Sequence, residues 1–268
     1  MVYNEAKNSN GDSEIMSKIN QILLEWENED IHGLTWLRDR GVDQRLAYSY
    51  YEDGYLEKLG PGVFVRKRDN VSPYALIRFL QEELKLNLHV SGRTALELQG
   101  YSHYVAMGSK QRIYLTSYDN KVFPKWVKKL ENKFELVFKK SSLLPKEEYL
   151  ITHKESRFDF QIACRELAIL ELLETLDLSG SLETAENYTQ SLMTLRDDVL
   201  QKVLEKCKSI QAKRVFLYLA EKINLPSFQN LKLDKIDLGT GKRVIVKRGK
   251  LNKKYMITVD REYEENPF

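Results

Sequence analysis

The sequence predicts an α+β protein in two parts: a small N-terminal domain, residues 1–70, and a larger C-terminal domain, residues 71–268. Three observations predict it. Helix-period segments between residues 14 and 52 give way to two strand-like runs around Gly60-Pro61-Gly62. Strand-like and helix-like segments then alternate as far as residue 140, the pattern of a mixed α/β layer. From Gln161 the chain reads as mainly helical, and it closes on "KRVIVKRGKLNKKYMITV", two strand-like runs around a Gly-Lys turn, a terminal β-hairpin. A subdivision of the larger domain near residue 160 separates its α/β part from its helical half.

Each element has a local reason. Ile15, Ile19, Ile22, Leu23 and Trp26 recur at helical spacing, predicting an amphipathic helix over 14–27. Ile31 to Gly33 is a short link. Leu34 and Leu37, with Arg38-Asp39-Arg40, predict a second helix, stopped by Gly41 at its C′ position. Asp43 offers its side-chain oxygen as the cap of a third helix, which runs to Glu52 and ends at Gly54. Leu56, and then Val63 and Val65, lie on the two strands of a hairpin. Helix, helix, tight turn, helix, hairpin is the order of a winged helix-turn-helix.

After Asp69-Asn70 the texture changes, and Ser72-Pro73 opens the helix "SPYALIRFLQEEL". "NLHVSG", "RIYLTSY" and "FELVFKK" read as strands; "RTALELQG" and "PKWVKKLENK" read as helices. Three further helical runs follow: "CRELAILELLETL", "AENYTQSLMTLRDDVLQKVLEKC" and "AKRVFLYLAEKI".

The bulk numbers exclude several classes. With 42% hydrophobic and 30% charged residues, 268 residues can bury a substantial core. A formal net charge of +3 argues for no particular partner. Lys and Arg nevertheless crowd into 121–140 and 242–254, while acids slightly dominate before Asp53. The two cysteines, Cys164 and Cys207, fit neither a disulfide framework nor a zinc site and are expected as reduced thiols of a cytoplasmic protein. No run approaches the ~18 apolar residues of a membrane span. The polar start "MVYNEAKNSNGDSE" is no signal peptide.

In a helix-turn-helix the third helix lies in the DNA major groove and shows one face to base edges. Val42, Leu46, Ala47 and Tyr50 form the expected inward face, and Gln44, Arg45, Tyr48 and Ser49 point the other way. Gln pairs with adenine and Arg with guanine through two hydrogen bonds each; Ser and Tyr hydroxyls suit phosphates or base edges. The hairpin is the expected wing, tipped with Arg66, Lys67 and Arg68 for backbone phosphates, with Arg38 and Arg40 adding contacts from the second helix. The same order also builds protein-docking modules, and the N-terminal part is not basic overall, so a docking role stays open.

Catalytic motifs are incomplete. Gly108-Ser109 ahead of Asp119 resembles the opening of nucleotidyltransferases, but Lys121 stands where the second metal-binding carboxylate belongs. Glu135 and Lys139 have the wrong spacing for a restriction-type nuclease pair. His32, His89, His103 and His153 are scattered; His89 and His103 flank one segment, short of the ligands a metal centre needs. Gly239–Lys242, "GTGK", lacks the hydroxyl residue that follows the lysine in a phosphate-binding loop, and reads as a turn. Gly92 and Arg93 open a helix where an anion could sit; a cap by Thr94 over a packed Leu96 and Leu98 face is the plainer reading.

The chain resembles the AbiEi family of antitoxins, from bacterial type IV toxin–antitoxin systems tied to abortive phage infection. The residues that carry the resemblance are "GVDQRLAYSYYEDGYLEKLGPGVFVRK", "LHVSGRTALELQGYSHYV", "CRELAILELLE", and "LDKIDLGTGKRVIV" followed by "KYMITV", together spanning about Ile15 to Val259. The resemblance implies a winged helix that binds inverted repeats in the operon's own promoter and represses it. It also implies a C-terminal antitoxin domain, and a cognate nucleotidyltransferase-like toxin whose effect is opposed functionally or by direct binding. Carried over by position, Gln44, Arg45, Tyr48 and Ser49 are the recognition residues, and Arg66, Lys67 and Arg68 the wing. The exposed helix face holds one strong cation, Arg45, so Lys125, Lys128, Lys129, Lys242, Arg243, Lys247 and Arg248 are candidate secondary contacts to DNA. The expectation is a cytoplasmic, non-enzymatic regulator with no cofactor, no metal and no membrane partner. The alternative is a winged-helix docking module that sequesters the toxin.

Overall fold

A computed structural model describes residues 18–101, 111–118, 123–130, 134–145, 147–175 and 182–260. The chain forms two units. The first takes the chain up to Leu86 together with Val122–Asn132 and Glu155–Phe158; the second takes the remainder.

In the first unit, α1 spans residues 18–25. It buries Ile19 and Ile22, and Trp26 follows it into the core. A short strand β1 (His32–Gly33), read from sequence as a plain link, leads into α2 (Leu34–Asp39). Gly41, at φ +75°, follows α2 with its N–H donating to Arg38 O at 2.8 Å, a left-handed turn that a side chain would strain. Then come α3 (Gln44–Glu52), β2 (Leu56–Gly60), β3 (Val63–Arg66) and α4 (Pro73–Glu82). The strand order is β1-β3-β2, antiparallel throughout. Trp26, Leu37, Val42, Ala47, Tyr50, Leu56 and Phe64 close one core between helices and sheet.

The helix α4 belongs to this unit rather than to the part after residue 70. Arg78 pairs with Asp30 at 2.6 Å, and Glu83, just past α4, accepts from the Gly33 N–H at 2.7 Å while facing His32 Nδ1 at 2.7 Å. These partly buried, charge-assisted bonds tie α4 to β1.

The second unit is built on a five-stranded mixed sheet of order β6-β5-β4-β8-β7. Its strands are β4 (Leu88–Val90), β5 (Arg112–Ser117), β6 (Glu135–Lys140), β7 (Leu150–Glu155) and β8 (Phe158–Ala163). The pair β7 and β8 corrects the helical reading that began at Gln161. β8 is interior, parallel to β4 through Val90 and Ile162, which is why its end is apolar. Around the sheet lie α5 (Gly92–Leu98), α6 (Arg165–Thr175), α7 (Glu183–Ser191), α8 (Asp197–Lys206) and α9 (Ile210–Lys222).

The single helix expected from "AENYTQSLMTLRDDVLQKVLEKC" is two, α7 and α8. The break falls where the Arg196 N–H and guanidinium both turn to buried Glu166, at 2.9 and 2.7 Å. The segment expected as a helix at "PKWVKKLENK" is a 3-10 helix, Lys125–Leu130, and it joins the first unit. The chain closes in three short strands rather than two: β9 (Arg243–Val244), β10 (Lys250–Asn252) and β11 (Ile257–Val259). β10 and β11 form the hairpin, turning after Asn252, and β9 lies parallel to β11. Arg214 pins this sheet from α9 by donating to the carbonyls of Leu238, Gly239, Gly241 and Met256.

Candidate nucleic-acid interface

The helix α3 starts where Asp43 Oδ1 accepts from the Leu46 N–H at 2.8 Å, satisfying one of the donors a helix start leaves open. Its inner face buries Ala47 and Tyr50 completely, and burial pushes the Tyr50 phenol pKa up. Gln44 and Arg45 are exposed on the outer face. Gln44, Arg45, Tyr48, Ser49 and Glu52 line one open depression of about 620 Å³. The four recognition residues expected from sequence are therefore brought together.

Two of them are placed differently from expectation. Tyr48 does not stand free: its ring packs edge-on against Phe64 of β3 at 5.6 Å, and Lys58 Nζ lies 4.7 Å over its face. Phe64 reaches across from the sheet, so the tyrosine rims the core and shows only part of its ring. The Ser49 hydroxyl donates to Asp53 Oδ2 at 3.2 Å. Glu52 was not among the expected residues. Gln44, Tyr48 and Glu52 follow one another at steps of four residues, which marks Glu52 as part of the same stripe.

The hairpin corrects the wing expectation. Its turn does not carry the cations and is not free. Leu34 N–H donates to Gly62 O at 3.1 Å, and Gly60 is buried under Trp126. A Cβ at Gly60 would stand 2.5 Å from Trp126 Cγ, a contact that only glycine avoids. Arg66, Lys67 and Arg68 lie at the opposite, open end of the hairpin, where Arg66 pairs in register with Leu56. There the Lys67 N–H donates to Tyr55 O at 3.0 Å, beside the end of α3.

These cations also differ in what they have left to offer. Arg66 Nη1 donates to Trp26 O at 2.8 Å and Arg66 Nε lies 3.8 Å from Asp69, so its guanidinium is committed inward. Arg40 pairs with Glu25 at 2.7 Å and stacks 3.8 Å over the Trp36 ring, which also meets His32 and Trp26. Arg38, Arg45, Lys67 and Arg68 are exposed and form no ion pair among the described residues.

Of the secondary basic residues, Lys125, Lys128 and Lys129 are exposed on the 3-10 helix of the first unit. Lys242, Lys247 and Arg248 are exposed around β9 and β10 in the second unit, with Arg243 partly covered.

The enzymatic candidates are structurally occupied. Glu135 pairs with Arg112 at 2.9 Å and Lys139 with Glu174 at 2.7 Å, on the sheet face and α6. The anion seat at Gly92 is filled from within: its N–H donates to Glu171 Oε2 at 3.0 Å, and Arg93 pairs with Glu97 at 2.7 Å. Thr94 does not cap that helix; its hydroxyl accepts from the Tyr114 N–H at 3.1 Å, tying α5 to β5. Gly239 and Gly241, at φ +58° and +73°, form the turn whose carbonyls Arg214 holds.

His89 is enclosed between Glu171 and Glu147, at 2.7 and 3.3 Å. Burial pulls its pKa down, but the Glu171 charge and the hydrogen bonds of both carboxylates outweigh it and hold the imidazole up at about 9. Burial pushes the Cys164 and Cys207 thiols up to about 12 and about 11, away from reactivity. Among the described residues no group of three His, Cys, Asp or Glu could hold a metal ion, and no helix is long and apolar enough to cross a membrane. Gly108, Ser109, Asp119, Lys121 and His103 lie outside the described residues.

Comparison with known proteins returns no match among curated proteins. Among solved structures, the crystal structure of the RV2827C protein from Mycobacterium tuberculosis is similar in fold, with a TM-score of 0.57 and 12% identity over 96% of this chain and 93% of that chain. Residues 16–107 match the family described as "Transcriptional regulator, AbiEi antitoxin N-terminal domain". Residues 110–260 match "Transcriptional regulator, AbiEi antitoxin, Type IV TA system". With a depression-lined helix face in its first unit and these two matches along its length, this chain belongs to the AbiEi family of antitoxin transcriptional regulators of type IV toxin–antitoxin systems.

Proposed function

We propose that the first unit is a winged helix-turn-helix that reads operator DNA through α3, and that the chain represses its own toxin–antitoxin operon while counteracting a nucleotidyltransferase-like toxin. The observation that carries the proposal is the outer face of α3. A capped helix presents Gln44 and Arg45 beside Tyr48 and Ser49 on one open depression, over a core that holds it rigid. Arg45 takes guanine O6 and N7, and Gln44 takes adenine N6 and N7. Exposed Arg38, Lys67 and Arg68 supply phosphate contacts that position the helix without reading sequence. The second unit carries the antitoxin role, with no catalytic residues and no cofactor, in the cytoplasm. Inverted repeats in the promoter are the expected operator.

Glu52, an acid on the same face, supports a second reading in which α3 docks a basic protein surface and the toxin is sequestered directly. A gel-shift titration on the chain's own upstream promoter and on a scrambled duplex, at two salt concentrations, separates the readings. Tight binding confined to the promoter supports operator recognition. Weak binding, equal on both duplexes, sinks it and leaves the docking reading, which co-purification with the toxin then tests.

A further inference from the structure

A wing makes its phosphate contacts with cations carried on a free hairpin turn. In this chain the turn is covered, and the segment that covers it is basic. Trp126 lies over Gly60, so closely that no side chain fits there. Phe79 of α4 braces Trp126 from behind, ring centroids 6.1 Å apart and 67° inclined. Val127 and Leu130 are buried as well, so apolar side chains anchor the short 3-10 helix Lys125–Leu130.

That anchoring decides which side chains remain outside. Lys125, Lys128 and Lys129 are exposed, and none forms an ion pair among the described residues. At three residues per turn, Lys125 and Lys128 stand one above the other, with Lys129 next to them. Three like charges so close repel one another, and an anionic partner relieves that repulsion. Between them and α3 runs β2, which packs on the 3-10 helix and carries Lys58, exposed over the Tyr48 ring. Lys58 is thus a cation on the strand that packs against both the reading helix and the 3-10 helix, with Glu57 exposed beside it.

We propose that Lys125, Lys128 and Lys129, seated on the hairpin turn by Trp126, replace the wing and contact the phosphate backbone of the duplex that α3 reads. This rests on the reading of α3 as a DNA-recognition helix and adds the flanking contact, supplied by a segment far along the chain rather than by the hairpin itself. Trp126 and Gly60 are positioning residues for it.

The test is a set of binding isotherms of the full chain on its promoter and on a scrambled duplex across a salt series. In the triple variant Lys125→Ala, Lys128→Ala, Lys129→Ala, the log–log salt slope falls by about 2–3, close to 0.9 per lost phosphate contact. Both duplexes weaken by the same factor, and the promoter preference stays. Restoring charge with three arginines restores the slope. Gly60→Ala removes no charge, yet it displaces Trp126 and lowers the slope in the same direction. A triple variant with the wild-type slope, in a protein that still prefers its promoter, overturns this inference alone. A folded Gly60→Ala with the wild-type slope overturns the seating by Trp126. A wild type that shows no promoter preference overturns the reading of α3 and this inference with it.

Discussion

His89 Nε2 lies 2.7 Å from Glu171 Oε1, with the two side chains 0% and 3% exposed. Glu147 faces the other ring nitrogen, and the Tyr118 ring stacks at 5.8 Å. The folded pKa of about 9 stands above the ordinary 6.5, so the protonated pair stabilises the fold fully below about pH 6.5. That stabilisation is lost as pH rises through about 9. The difference corresponds to about 3 kcal/mol. Denaturant unfolding between pH 6 and pH 10 should show stability falling by this order, and Glu171→Gln should flatten the curve. A wild-type stability unchanged over that range rules the pair out as a charged one.

Glu166 gives the opposite sign at the acid end. Burial raises its pKa, but the Arg196 guanidinium and N–H outweigh this and hold it down at about 2, against an ordinary 4.5. Its contribution is present above about pH 4.5 and lost as pH falls through about 2, again about 3 kcal/mol for a carboxylate with no exposure. Glu166→Gln should be less stable than wild type at neutral pH, and the gap should close toward pH 2. Parallel pH profiles for the two proteins would contradict the assignment.

Arg66 and Lys67 are neighbours with different tasks. Arg66 holds Trp26 O, so Arg66→Ala should lower stability by about 1.5–3 kcal/mol, the worth of a charge-assisted bond, and leave the salt slope of DNA binding intact. Lys67 is exposed, so Lys67→Ala should leave the melting temperature unchanged and lower the slope by about 0.9. Thermal melts paired with salt-series binding distinguish them; a swapped pattern would reverse the roles.

Arg214 holds four backbone carbonyls of the terminal segment. Arg214→Met keeps the length of the side chain and loses the bonds, for an expected cost of about 2–4 kcal/mol. Hydrogen exchange should then speed up in residues 243–259 before the sheet β4 to β8 is affected. Uniform exchange across the second unit would show that the terminal sheet is not a separately pinned element.

Arg45→Ala should cost about 1–3 kcal/mol of operator affinity and relax the preference at one base. Equal loss on promoter and scrambled duplexes would make Arg45 a phosphate contact instead.

Much of the first unit was legible from residues alone. Asp43 as a cap, Gly41 as a left-handed stop and the buried stripe of Ala47 and Tyr50 are local consequences of side-chain chemistry and helical spacing. The same locality made α5, α6 and the strands β4 to β6 readable. The reading failed where a distant partner decided the outcome. His32 and Gly33 form a strand only because β3 lies beside them. The break between α7 and α8 depends on buried Glu166, thirty residues away. β8 does alternate, with Phe158, Phe160 and Ile162 buried and Asp159 exposed, but its apolar end runs almost directly into α6 and so was read with that helix.

For the candidate interface, the sequence by itself determined the four residues of the α3 face and the presence of cations near the hairpin, since helical spacing decides which side chains share a stripe. Only the tertiary structure decided which of those cations are available. Arg66 is drawn inward by Trp26 O and Arg40 is paired at the surface with Glu25, while Lys67 and Arg68 stand at the open end of the hairpin. The turn itself is closed by Trp126, a residue that no local pattern connects to Gly60. Spacing along the chain determines direction within one element; packing between elements far apart in sequence determines which charges are still unpaired when the chain has folded.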